Sequence, residues 1–179
     1  MKIFASLQDL AASVGQDVAV SDWVVVTQEQ INLFAQATGD HQWIHTDADK
    51  AQSGPFGTTI AHGFLTLSLL PQFFESAFDI QGSRMGINYG LNKVRFTAPV
   101  PVGSRLRAHM HLLACKAIDK QGVQMTWRVS VEREGSDKPV CVAESLVRRY
   151  PCGGASAKLF CRQASNTVMA TALDKFKLR

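Results

Sequence analysis

Hydrophobic positions along the chain follow two different rhythms. Between residues 27 and 39 they recur at spacings of three and four. Ile31, Phe34, Ala35 and Thr38 fall on one face, the pattern of an amphipathic helix. Thr27 stands where a capping hydroxyl belongs, Gln30 is its reciprocal partner three residues on, and Gly39 follows as a stop. In residues 105–112 and 123–131 the period is two. Leu106, Ala108, Met110 and Leu112 alternate with Arg105, Arg107, His109 and His111; Val123, Met125, Trp127, Val129 and Val131 alternate with Gln124, Thr126, Arg128 and Ser130. Such strands bury one face and wet the other, as antiparallel sheets do. Residues 119–122 and 134–138 read as turns between strands, and a further strand is expected over about residues 140–150. A short helix is expected after Ser6, stopped by Gly15, and a strand over residues 23–26.

Between these patterns lies a stretch apolar on nearly every side, residues 62–78, with Phe64, Leu65, Leu67, Leu69, Leu70, Phe73 and Phe74. A helix apolar all round is buried all round, and Pro71 should kink or break it near its middle. Residues 39–61 have no period and read as a long irregular loop, a kind of segment that often carries function. An antiparallel sheet of about five strands curled around one central buried helix satisfies these patterns, an α+β arrangement. One such unit leaves part of the helix and a sheet edge uncovered, so a homodimer that extends the sheet is expected.

Composition narrows the picture. The chain has 179 residues, 46% hydrophobic and 19% charged, which suits a globular domain and excludes wholesale disorder or a disulfide-dense mini-protein. No apolar run reaches the roughly 18 residues needed to span a bilayer. No basic region followed by an apolar stretch opens the chain, so a cytoplasmic location is expected. The net charge of +4 is concentrated in residues 151–179, where Lys158, Arg162, Lys175, Lys177 and Arg179 face one acidic residue, Asp174. The chain thus divides into a neutral body, residues 1–150, expected as one domain, and a basic C-terminal extension. Residues 167–176 are a candidate short helix there. The extension is either a solvated end or a segment that steers anionic partners. A neutral body argues against a nucleic-acid partner. Cys115, Cys141, Cys152 and Cys161 lack the two-residue spacing of a zinc or redox site, and each reads as a small apolar residue rather than a ligand or nucleophile.

Two segments carry candidate chemistry. In the first, Asp40 and His45 are five residues apart, just past a helix end. In a loop that spacing lets a carboxylate and an imidazole converge on one small volume, a competent acid–base pair. The alternative is an aspartate that bonds turn amides and a histidine that is merely packed. In the second, Ile60-Ala61-His62-Gly63 runs into the apolar helix. Gly63 would lie in its first turn, where backbone N–H groups have no intrahelical partner and can stabilise a developing oxyanion. The alternatives are a glycine kept for close packing and a structural or capping His62.

At these residues the chain resembles a known family. Phe34-Ala35, Thr38-Gly39-Asp40 with His45, and Ile60-Ala61-His62-Gly63 are similar to the MaoC-like motif of R-specific enoyl-thioester hydratases, also called hydratase 2. Gly54-Pro55-Phe56-Gly57, Asn88-Tyr89-Gly90-Leu91 and the segment from Val94 to Val100 resemble the nodulation-protein-N-like branch. The resemblance covers roughly residues 15–150. It implies the hotdog fold, a sheet wrapped on a central helix, and reversible addition of water to a trans-2-enoyl thioester to give an R-3-hydroxyacyl thioester. It puts the acid–base pair on Asp40 and His45 and the oxyanion amide on Gly63. It implies no metal or redox cofactor, with coenzyme A only as part of the substrate; acyl carrier protein is the other carrier it allows. Trp43, Phe56, His62, Phe64, Asn88 and Tyr89 are candidates for shaping the substrate pocket. Lys93, Arg95, Arg105 and Arg107 are candidates for meeting the carrier phosphates, although a solvated sheet face explains the four basic residues as well. A thioesterase, or a subunit that binds acyl thioesters without catalysis, are the competing functions.

Overall fold

A computed structural model of the chain describes residues 1–119 and 122–151. The N-terminal part contains β1 (Lys2–Phe4), α1 (Leu7–Ala11), β2 (Asp17–Val20), β3 (Val24–Val25) and α2 (Gln28–Thr38). Two short helices follow, α3 (Trp43–Thr46) and α4 (Ala48–Gln52), then α5 (Gly63–Ser68) and α6 (Leu70–Ala77). The strands β4 (Phe78–Ile80), β5 (Ser83–Phe96), β6 (Arg105–Ala117), β7 (Val123–Arg133) and β8 (Cys141–Pro151) complete the described fold.

The expected central helix is present and broken where proline demands it. Pro71 has no N–H to return to the preceding turn, and the helix axis interrupts at Leu69 before α6 resumes. Sheet order is β2-β6-β7-β8-β5, with β3 also paired to β6. The main sheet therefore has six strands rather than about five, because residues 17–25 meet β6 in two pieces. Between them Ser21 donates its N–H to the Ala108 carbonyl (2.9 Å), and its Oγ accepts the Ala108 N–H (2.8 Å). β1 and β4 form a separate parallel pair.

The period-two reading holds on β6 and β7, whose apolar positions are buried and whose alternates are not. Those inward residues meet Leu65, Leu69, Leu70, Phe73 and Phe74 of the central helix in one core. Trp127 is its largest member, stacked on Phe78 and edge-on to Phe74 at 5.4 Å each. This is the hotdog architecture, a curved antiparallel sheet with a helix along its concave face.

As expected of a single unit, part of the central helix is uncovered: Phe64 is 67% exposed, and Ser68 and Pro71 also face outward. Two expectations need correction. The stretch 39–61 is not wholly irregular, since it holds α3 and α4; the Asp47 side chain caps α4 by accepting the Lys50 N–H at 3.0 Å. The first helix ends at Ala11, before Gly15, whose N–H goes instead to the Leu112 carbonyl.

On the outer sheet face, Arg107 pairs with Glu132 through two N–H donors (2.8 and 3.1 Å), and Arg105 pairs with Glu134 (2.7 Å). Both guanidinium groups lie over Trp23. They belong to a solvent-face network, the second of the two roles foreseen for them. Burial pushes the thiols of Cys115 and Cys141 up to about 11, which makes them inert apolar groups. Cys152, Cys161 and the segment 167–176 lie outside the described residues. Among the described residues no helix is long and apolar enough to cross a membrane.

Candidate active site

The helix α2 begins with the capping box read from Thr27 and Gln30 and ends at Gly39, whose φ of 78° only glycine adopts freely. That left-handed step turns the chain so that Asp40 leaves the helix end toward the start of α5. One turn further on, α3 carries His45. Its backbone is tied down from α2: Gln28 donates Nε2–H to the His45 carbonyl (2.8 Å), while Thr59 donates to Gln28 Oε1 (2.5 Å). Gln28 and Thr59 carry no family-independent signal in the sequence, because their role exists only once the two segments are folded together.

His45 is buried, with 6% of its surface exposed. Its Nδ1 lies 2.7 Å from the Ile60 carbonyl. A carbonyl can only accept, so Nδ1 carries the proton and the Nε2 lone pair is free for a reacting group. The Asp40 carboxylate, the His45 ring and the His62 ring bring ligand atoms within 4.8 Å of one another. Asp40 Oδ1 also accepts the Gln42 N–H at 3.5 Å, so part of the turn-bonding alternative is present too. Asp40 and His45 thus converge as their spacing suggested.

His62 stacks on His45, ring centroids 3.7 Å apart and planes 26° from parallel. Lone pairs of stacked rings run side by side. A single metal ion needs them to converge at about 2.0–2.1 Å, so the trio fits proton transfer better than chelation.

His45, Phe56 and Gly63 line one cavity of about 370 Å³, together with Thr66, Phe96 and Val140. The Gly63 N–H opens α5 and has no acceptor among the described residues. Glycine is required by space as well: a Cβ there would stand 2.7 Å from the Phe96 ring. Other candidates lie elsewhere. His62 is buried behind His45 and does not line this cavity. Trp43 packs over Gly54, beneath Lys50. Phe64 meets Phe96 edge-on. Asn88 and Tyr89 border a separate cavity of about 360 Å³ beside the helix break. Arg95 donates to the Val94 carbonyl on the exposed strand.

Burial, which disfavours the imidazolium, is the largest influence on His45. The Ile60 carbonyl opposes it, His62 reinforces it and Asp40 opposes it, and the net direction is below the usual histidine value. The unfolded chain, with a pKa near ~6.5, then binds a proton more readily than the fold does. Stability from this group is complete above about pH 6.5 and is lost as pH falls through the lower folded value. Denaturant midpoints should therefore decline on acidification in that window, and decline less steeply in His45→Gln. Equal slopes in the two proteins would contradict the assignment.

Residues 9–134 match the MaoC like domain. The chain belongs to the MaoC-like dehydratase family. It is 58% identical over 148 residues to 3-hydroxyacyl-thioester dehydratase Z of Mycobacterium tuberculosis strain H37Rv, covering 83% of this chain and 98% of the relative. It is 44% identical over 140 residues to nodulation protein N of Rhizobium leguminosarum bv. viciae, covering 77% and 87%. Among solved structures, the unliganded R-hydratase PhaJ1 of Pseudomonas aeruginosa superposes with a TM-score of 0.60 at 27% identity, covering 78% of this chain and 83% of that one. The MaoC-like resemblance read from the motifs, and its nodulation-protein-N-like branch, therefore hold.

Proposed function

We propose that this MaoC-like protein adds water reversibly to trans-2-enoyl thioesters, giving R-3-hydroxyacyl thioesters. The observation that carries the reading is one apolar cavity lined both by His45, whose Nε2 has no hydrogen-bond partner among the described residues, and by Gly63, whose helix-opening N–H has none there either, with the Asp40 carboxylate beside the imidazole. Asp40 and His45 hold a water, and His45 Nε2 takes one of its protons as the oxygen bonds to C3 of the enoyl group. The C2–C3 π electrons move toward the thioester carbonyl, whose oxygen gains charge against the Gly63 N–H. The enolate then collapses as the dyad returns a proton to C2. One water is added, and neither oxidant nor metal enters the balance. Burial of His45 suits the role of base, because the imidazole stays neutral and ready to accept.

Purified protein should bleach the conjugated absorbance of crotonyl- or octenoyl-CoA without releasing free thiol. Thiol release detected with a thiol dye, with no 3-hydroxyacyl product, would identify a thioesterase instead. Binding without either change would indicate a non-catalytic subunit.

The working unit in this reading is a homodimer. β5 is a 14-residue edge strand exposed along almost its whole length, and it displays Met85, Ile87, Tyr89 and Leu91. A long apolar edge is a template for pairing with another strand, and a second copy of β5 continues the sheet by two-fold symmetry. Light scattering should give twice the chain mass, and the double variant Ile87→Lys, Leu91→Lys should give one chain. A wild-type monomer at micromolar concentration would refute the assembly.

A further inference from the structure

His62 touches both His45 and Asp40 and directly precedes Gly63 in the chain. Its ring is wedged between two others: His45 of α3 at 3.7 Å and Phe34 of α2 at 5.1 Å. Its Nε2 lies 2.9 Å from the backbone carbonyl of Asp40 and 4.0 Å from Asp40 Oδ2. A carbonyl only accepts, so Nε2 carries the proton. His62 is also the residue immediately before Gly63, and its own carbonyl accepts the N–H groups of Leu65 and Thr66, which starts the helix that presents the Gly63 amide.

We infer that His62 is a positioning residue for the reaction, backing the His45 ring and holding the Asp40 loop through one buried imidazole. The inference rests on the roles given to Asp40 and His45 above.

A packing role alone does not explain the side chain. His62 is only 3% exposed, and its Nδ1 has no hydrogen-bond partner among the described residues. An unpaired buried acceptor opposes folding, and a phenylalanine would fill much the same space without it. Groups that cost stability persist where a site needs them. What the imidazole supplies beyond a phenyl ring is the Nε2–H that holds Asp40, and a neighbour that resists protonation of His45. The titratable groups facing His45 are His62, which disfavours the imidazolium, and Asp40, which favours it. Removing His62 therefore frees the Asp40 loop and makes His45 easier to protonate.

Two variants separate these contributions. His62→Phe keeps a ring on His45 and removes the donor. His62→Gln keeps an N–H that reaches the Asp40 carbonyl and removes the ring. Misplacement on the ångström scale costs on the order of 10²-fold in rate. His62→Phe should therefore lower kcat about 10- to 100-fold with KM changed less than about threefold, and His62→Gln should recover part of that loss. The unfolding midpoint of His62→Phe should equal or exceed that of the wild type. In both variants the His45 titration, followed by NMR of ring-labelled histidine, should move to higher pH, and the acid limb of kcat should move with it. If His62→Phe does not fold, the kcat and His45 titration of His62→Gln decide the matter. The inference is overturned if the folded variants leave the His45 titration unmoved, or if kcat falls only in proportion to the unfolded fraction. The NMR readout needs no turnover. A wild-type protein inactive on enoyl thioesters would sink the proposed reaction, while the His45 shift would still report on the positioning role.

Discussion

Asp40→Asn and His45→Gln should each lower kcat for enoyl-thioester hydration by about 10²–10⁴-fold, the range that a positioned acid–base group supplies. The two changes act differently. Asp40→Asn keeps the shape of the side chain but removes the charge beside the imidazole; Asp40 is half-exposed, so the fold should be little affected. His45→Gln removes the ring that stacks on His62 and the Nδ1–H that bonds Ile60. It should therefore cost stability as well as rate. The double variant should be no slower than the worse single one by more than a small factor, because residues that act as a unit are not additive. Steady-state kinetics on the three proteins, with circular dichroism to verify folding, checks this. Near-wild-type kcat in Asp40→Asn would exclude the carboxylate from the reaction.

The largest structural effect is expected at Trp127. Its ring is 1% exposed on β7 and packs on Phe74 and Phe78, where the central helix passes into β4. Truncation leaves a cavity walled by a sheet and a helix that cannot both collapse into it. Trp127→Ala should cost about 3–5 kcal/mol of unfolding free energy. That is a large part of the stability of a domain this size. Denaturant unfolding of the variant measures the loss directly. A cost below about 1 kcal/mol would mean that the core does not centre on this contact.

How legible the molecule is in its sequence depends on whether a signal is local. The capping box at Thr27, the αL glycine at position 39 and the proline break at Pro71 are set within one turn of chain, and each appears in the fold as read. The alternation in β6 and β7 is legible because one face of each strand is buried within this chain. β5 is not legible in that way. Both its faces and one edge are exposed in a single chain, and glycines and asparagines interrupt any alternation. The helices α3 and α4 are too short to establish a period, although the Asp47 cap was a usable mark for the second. The sequence-close pair Asp40 and His45 was visible from spacing. Gln28, Thr59 and the Ile60 carbonyl, which set how His45 is held, became visible only in three dimensions. So did the stacking of His62 on His45. That a single unit leaves part of the helix uncovered was legible, but which residues lie there, Phe64 among them, was not, because an all-round apolar helix has no period that marks its outer face.

The most direct measurement is chiral analysis of the product formed by the wild-type protein from trans-2-octenoyl-CoA. The proposed reaction, with His45 and Gly63 on one cavity and Asp40 beside the imidazole, predicts hydration to 3-hydroxyoctanoyl-CoA free of released thiol, and the likeness to R-hydratases predicts the R configuration. An S product, or no 3-hydroxyacyl product across short and long enoyl thioesters, would contradict it.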